Sequence, residues 1–411
     1  MRTLLRNIGN LAGIENEGRS FFRGNEMNQL HTIQDAYLLI ENQRILAFGT
    51  MGEFEGQQFD KNIDLDGKTV LPGWCDSHTH LVYAGDRTGE FVDRIRGLSY
   101  QEIAEKGGGI LNSAAKLQAI DESQLFDQSA QRLEQVMALG TTAIEIKSGY
   151  GLTLEAELKM LRVIRKLKEK YDVPIAATFL AAHALPAEYK ENKTAFIDQV
   201  VNKWIPKVAS ENLAEYIDVF CEKGYFDLTD TSRILEAGIK QGLKGKIHVN
   251  QFNSIGGVEL GVKHNALSVD HLEEMSKADF KALKETDTIA VALPGCSHFL
   301  SIPYTPARKL IDQGTAVALA TDYNPGSSPS GNMNFVVSEA CVKMNMTPEE
   351  AINAATLNGA YAMGLEKEVG SIAKGKLANL IVLENNATLN SIPYSFGRSV
   401  IEEVWVNGRK I

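Results

Sequence analysis

Thr69-Val70-Leu71-Pro72-Gly73-Trp74-Cys75-Asp76-Ser77-His78-Thr79-His80 runs from an apolar, extended lead-in to two histidines one residue apart. Side chains alternate faces along a strand, so His78 and His80 share a face, with Asp76 on it too. Two imidazoles side by side at a strand end make a pair of metal ligands. A lone His-x-His is as often two surface histidines at a turn. The rest of the chain decides between these readings.

Seven more strand-like runs follow, at Thr141–Lys147, Ile175–His183, Tyr216–Glu222, Lys246–Gln251, Ala266–His271, Thr288–Leu293 and Thr315–Asp322. Helical patterns lie between them. Leu154, Leu158, Leu161, Ile164 and Leu167 recur at intervals of three and four, which predicts a helix over Leu154–Tyr171. Thr347-Pro348-Glu349-Glu350 starts another with a capping residue, a first-turn proline and an acidic first turn. Eight strands alternating with helices predict a (β/α)8 barrel of the TIM type over residues 70–368. An open doubly wound sheet ordinarily carries a Gly-rich phosphate loop after its first strand, and none follows here. The Gly107-Gly108-Gly109 run lacks the Lys-Ser/Thr of a phosphate cradle and reads as a lid or tight turn.

The two ends differ from the middle. Ala36–Ile40, Arg44–Phe48, Asn379–Leu383 and Val400–Val406 read as strands, and Asn407-Gly408 is a two-residue hairpin turn. Each end is too small to fold alone. Residues 1–69 and 369–411 are therefore expected to pair into one small β-sandwich.

Composition narrows the class. A chain of 411 residues with 44% hydrophobic and 23% charged side chains suits a globular protein of one large and one smaller domain. A net charge of -10 argues against nucleic-acid binding. Cys75, Cys221, Cys296 and Cys341 are scattered and read as thiols in a reducing compartment. No segment reads as a signal peptide or a membrane span, so a cytoplasmic enzyme is expected.

Catalytic groups of such barrels sit at the C-terminal ends of the strands. His78 and His80 end the first run, His183 the third and His271 the sixth. His248 lies in the fifth and Asp322 ends the eighth. Five of eight histidines and a carboxylate thus converge on one rim, whereas His31, His264 and His298 read as structural or surface residues. Any one of the six is unremarkable alone; together they predict a metal site. Imidazoles and a carboxylate suit zinc first, with iron or manganese satisfying the same ligand types. A second metal would call for a bridging carboxylated lysine. Lys147 is the one obvious strand-end lysine, and a neighbouring carboxylate or the substrate is its expected partner, so one divalent or trivalent ion per chain is expected.

This constellation resembles the amidohydrolase superfamily, whose mononuclear members would use His78, His80, His248 and Asp322 as ligands. Ala354-Ala355-Thr356-Leu357-Asn358-Gly359-Ala360 and Val369-Gly370-Ser371-Ile372-Ala373-Lys374-Gly375 are similar to that superfamily's ending. Four segments narrow the resemblance to the imidazolonepropionase family. They are His78–Arg87, Ala104-Glu105-Lys106-Gly107-Gly108-Gly109-Ile110, Glu145-Ile146-Lys147-Ser148-Gly149-Tyr150-Gly151-Leu152 and Thr321-Asp322-Tyr323-Asn324-Pro325-Gly326-Ser327. The resemblance implies hydrolysis of 4-imidazolone-5-propanoate to N-formimidoyl-L-glutamate in histidine degradation. It also implies that Arg87, Tyr150, His183, Gln251, Asn324, Gly326 and Ser327 bind substrate. A homodimer is the expected assembly.

Many mononuclear relatives carry Glu where this chain has Gln251, and an amide takes no proton at neutral pH. Asp322 is then expected to take a proton from the attacking water and pass it to the leaving ring nitrogen, with His271 stabilising the oxyanion. Two other readings use the same residues: a deaminase of a small heterocycle, and a non-catalytic scaffold of this fold. Arg87 and the Asn324–Ser327 loop favour a substrate with a carboxylate tail. The complete ligand set argues against the scaffold.

Overall fold

A computed structural model describes residues 1–98, 102 and 108–411. Of the glycine run, Gly107 lies outside the described residues, as do Ala104, Glu105 and Lys106 of the same motif. Gly108 and Gly109 open the helix Gly109–Ala119, and the Gly109 amide donates to Glu90 Oε1 at 3.0 Å.

Five strands come first: β1 (Arg2–Ile14), β2 (His31–Glu41), β3 (Arg44–Thr50), β4 (Lys61–Asp64) and β5 (Thr69–Pro72). Eight follow in the middle: β6 (Trp74–Asp76), β7 (Thr141–Lys147), β8 (Ile175–Ala182), β9 (Tyr216–Cys221), β10 (Lys244–Val249), β11 (Ser268–His271), β12 (Ile289–Ala292) and β13 (Val317–Leu319). The last three are β14 (Leu380–Leu383), β15 (Ile401–Val406) and β16 (Arg409–Lys410).

Strands β6 to β13 lie side by side in chain order and pair in parallel. β7, β8 and β9 are buried along their whole length, because helices cover the outside of the barrel and side chains fill its inside. The barrel closes beyond the last strand. The Asp322 amide donates to His78 O at 3.0 Å and the His80 amide to Tyr323 O at 2.9 Å. Closure therefore ties the His-x-His directly to the aspartate. The helix read from its spacing spans Leu154–Lys170, capped by Thr153 and burying Leu158, Leu161, Ile164 and Leu167.

The other sheet joins both ends of the chain in the order β16-β15-β14-β5-β1-β2-β3, with β4 on β1. An isolated bridge between Arg44 and Leu377 curls it back on itself. Leu5, Ile8, Leu38, Val70, Leu380 and Trp405 form its core. Asn407 and Gly408, with φ of 50° and 72°, turn β15 into β16 as the dipeptide predicts.

Three expectations need correction. Thr69–His80 is not one strand: β5 pairs with β1 and β14 in the terminal sheet, and only β6 enters the barrel. The chain crosses at Gly73, where a Cβ would overlap the Thr142 side chain. Second, β1 was not read at all, although its 13 residues pair with β2, β4 and β5. Its polar interruptions, such as Asn7 and Asn10, hide the strand pattern. Third, His78 and His80 lie past the end of β6, His183 past β8 and Asp322 past β13, rather than on those strands.

Candidate metal centre and substrate pocket

Barrel strands and the loops after them bring His78, His80, His248, His271 and Asp322 together, each at most 2% exposed. Ligand-capable atoms of His78, His248 and His271 lie within 4.8 Å of one another, and so do those of His78, His80 and Asp322. Asp322 Oδ1 is 3.5 Å from His78 Nε2 and 3.6 Å from His80 Nε2, and His248 Nε2 is 3.4 Å from His80 Nε2. Four ligands at the 2.0–2.1 Å typical of zinc–imidazole bonds, arranged as a tetrahedron, stand about 3.3–3.4 Å apart. His78 Nε2 has no hydrogen-bond partner although buried. Burial pushes the His78 and His80 imidazoles down, reinforced at His78 by Lys147 and at His80 by His183, so both are neutral and offer lone pairs.

The backs of two rings are held by carboxylates. His78 Nδ1 donates to Asp270 Oδ2 at 2.6 Å, and His248 Nδ1 lies 3.0 Å from Asp218 Oδ2. Such partners fix the tautomer and raise the basicity of the other nitrogen. Lys147 Nζ, fully buried, then spans 2.9 Å to Asp218 Oδ2, 2.6 Å to Glu145 Oε1 and 3.6 Å to Asp270 Oδ2. Lys246 pairs with the other oxygen of Glu145. Burial opposes the charge on Lys147, but Asp218, Glu145 and Asp270 outweigh it and raise its pKa. An ammonium so held does not carboxylate. Two buried lysines thus face three buried carboxylates, those of Glu145, Asp218 and Asp270. Donor types, spacing and an unpartnered nitrogen all fit a bound metal.

His271 and Asp322 hold left-handed backbone conformations, φ 87° and 54°. Such residues cost of order 1–3 kcal/mol each and cluster at functional sites. Burial disfavours the His271 imidazolium, yet the Glu273 carboxylate, 3.2 Å from Nδ1, carries its pKa well above the ordinary value. Burial raises the Asp322 carboxyl, so it holds a proton more readily than a surface aspartate.

Arg87, Tyr150, His183, Gln251, Asn324, Gly326 and Ser327 all line one cavity of about 430 Å³. Arg87 Nε donates to Ser113 Oγ at 2.9 Å, while Nη2 is buried without a partner. A Cβ at Gly326 would overlap Arg87 Nη1, so glycine there makes room for the guanidinium. His183 stacks on His80 with ring centroids 4.9 Å apart, and burial, then His248, pushes its pKa down to about 3. The Asn324 side chain is spent on its own loop: Oδ1 accepts from the amides of Gly326 and Ser327, and Nδ2 donates to Asp322 O and Ser327 Oγ. Ser327 Oγ in turn donates to Asp322 Oδ2 at 3.3 Å. Gln251 Nε2 donates to Cys296 Sγ at 3.3 Å. A larger cavity, about 1190 Å³, adjoins through Ile110 and Tyr225 but has no histidine in its wall.

The other three histidines lie elsewhere. His264 Nε2 pairs with Ser232 Oγ, His298 is exposed beside Glu339, and His31 is exposed. Sequence reasoning missed Glu145, Asp218, Lys246, Asp270 and Ser113. The first four carried a signal, a charge inside a run buried on both faces.

Comparison with known proteins decides the family. Residues 103–411 match the model of the amidohydrolase family. The imidazolonepropionase of Christiangramia forsetii is 59% identical over 411 residues, covering all of both chains. That of Alkaliphilus metalliredigens is 40% identical over 393 residues, covering 95% of this chain and 93% of its own.

The chain belongs to the imidazolonepropionase family.

Its fold is shared more widely. Escherichia coli guanine deaminase superposes with a TM-score of 0.75 at 15% identity, covering 100% of this chain and 99% of its own. A zinc-bound adenosine deaminase from Xanthomonas campestris gives 0.74 at 15% identity, covering 99% and 92%. At that identity the likeness shows the amidohydrolase barrel alone.

Proposed function

We propose that the protein hydrolyses the ring amide of 4-imidazolone-5-propanoate, giving N-formimidoyl-L-glutamate. The observation that carries this reading, beside full-length identity to imidazolonepropionases, is Arg87. Its side chain lines the cavity with Nη2 buried and unpartnered, and His183 of the same wall stacks on His80 of the histidine–aspartate cluster. A guanidinium held in place by Ser113 suits a carboxylate tail on a small heterocycle.

His78, His80, His248 and Asp322 would hold one metal ion, zinc first and iron second on ligand type. When bound, that ion polarises the amide carbonyl and lowers the pKa of water. The chain's residues do the rest. Arg87 anchors the carboxylate, and neutral His183, whose Nδ1 lies 3.2 Å from the Gly149 carbonyl, presents its other nitrogen to the substrate. Asp322 divides its oxygens: Oδ1 faces the histidines, and Oδ2, held by Ser327, takes the proton of the attacking water. It then gives that proton to the departing ring nitrogen. The His271 imidazolium, kept charged by Glu273, stabilises the oxyanion. Gln251 orients and carries no proton.

The reading includes a cytoplasmic homodimer. The four free thiols support a reducing compartment, and among the described residues no helix is long and apolar enough to cross a membrane. The test is ultraviolet loss of imidazolonepropionate on adding purified protein. An unchanged spectrum from metal-loaded protein overturns the proposed activity.

A further inference from the structure

Behind the reaction's histidines stands a second group with metal-binding chemistry. His271, Glu273 and Cys296 offer a nitrogen, an oxygen and a sulfur within 4.8 Å of one another. His271 ends β11, Glu273 follows two residues later, and Cys296 lies in the helix Pro294–Leu300 after β12. Adjacent barrel strands therefore aim all three at one point. Cys296 is fully buried, His271 2% exposed and Glu273 4%.

Two observations set this group apart from an ordinary buried pair. Glu273 Oε1 is engaged by His271 Nδ1 at 3.2 Å and by Ser297 Oγ at 3.5 Å, while Oε2 is buried with no partner. A carboxylate oxygen without a donor is costly in such a place. The Gln251 amide, meanwhile, donates to the Cys296 sulfur at 3.3 Å. An N–H on a sulfur favours the thiolate, the form that binds metals, against the burial that otherwise keeps the Cys296 thiol protonated.

We propose that His271, Glu273 and Cys296 form a second, weaker cation site, selective for a soft divalent ion such as cadmium or excess zinc. One sulfur, one nitrogen and one carboxylate oxygen suit these ions and not magnesium or calcium. Binding replaces the thiol proton and one proton of the His271 imidazolium, and both leave to solvent. The site shares His271 with the reaction, so filling it takes the oxyanion partner out of service. That inhibitory consequence, unlike the site itself, rests on the function proposed above.

The test titrates Cd2+ into protein already carrying its tightly bound ion. Bound cadmium is counted by elemental analysis, and the ultraviolet charge-transfer band of the cadmium–thiolate bond is followed. One further equivalent should bind with the band, without release of the first ion. Cys296→Ser should lose the band. Glu273→Gln should keep it but need at least about tenfold more Cd2+ to saturate, since losing even an outer partner of a ligand costs about that much. Cys341→Ser, at the one half-buried thiol, should match the parent protein. No further equivalent, or a band that survives in Cys296→Ser, overturns the site. Should Cys296→Ser not fold, Glu273→Gln decides, and unchanged saturation overturns it. Turnover is read on the same samples and should fall in step with the second equivalent. Full turnover with that equivalent bound overturns the inhibition and the role of His271, and leaves the site established.

Discussion

On the proposed function, single residues carry the recognition and the charge of this site. Arg87 reaches the cavity with one nitrogen on Ser113 and another unpartnered, so its planar fork is poised for a carboxylate. Arg87→Lys keeps the charge and loses the fork. It should raise KM about 10–100-fold with a smaller change in kcat, from the roughly 1.5–3 kcal/mol of a charge-assisted hydrogen bond. Steady-state kinetics checks this, and an unchanged KM would return Arg87 to a surface role. Glu273 acts through His271. Burial lowers the pKa of that imidazole and the carboxylate raises it above the ordinary 6.5, so the imidazolium persists as pH rises past that value. Activity should fall on the alkaline side only as pH passes the raised pKa. In Glu273→Gln the largest contribution opposing burial is gone, so the alkaline limb of the kcat–pH profile should move to lower pH. A limb that stays in place removes His271 from the reaction. His78, His80, His248, His271 and Asp322 were legible from sequence because each stands out at or just past an apolar run. Ser113 was not, because a serine on an amphipathic helix has no signature.

Between elements, one lysine does the joining. Lys147 on β7 ties Asp218 on β9 to Asp270 on β11, and these hold His248 on β10 and His78 beyond β6. Lys147→Met leaves the acidic side chains buried and facing one another. Breaking a buried ion pair from one side typically costs about 3–5 kcal/mol, and loss of an outer partner about 10–100-fold in metal affinity. The variant should melt at lower temperature and lose its metal to a mild chelator that leaves the parent protein loaded. Thermal melts and elemental analysis measure both; a variant matching the parent in each would reduce the network to a bystander. The eight barrel runs were readable in order because burial on both faces leaves continuous apolar stretches. Their pairings across the barrel were not, since Asp218 and His248 are 30 residues apart with nothing local linking them.

At the scale of the whole molecule, the terminal sheet and the barrel share one core. Ile381, Leu383, Val404 and Val406 pack in the same apolar cluster as the barrel side chains. Asn379 Nδ2 donates to Thr142 O at 2.8 Å, and the Gly73 amide to Asn379 O at 3.0 Å. A chain ending at Ile372 keeps every barrel strand but loses β14 to β16. It should give no cooperative melt, and a cooperative, metal-binding product would show the barrel to be autonomous. The amino-acid sequence by itself determined the barrel class, the order of its strands, the pairing of the two ends and which histidines and aspartate gather at one rim. All of these follow from local periodicity and from rare polar residues in apolar runs. Only the tertiary structure decided where Thr69–His80 divides between two sheets, how Lys147 spends its charge and what stands behind His271. Each depends on groups far apart in sequence, whose burial and pairing exist only once the barrel has closed.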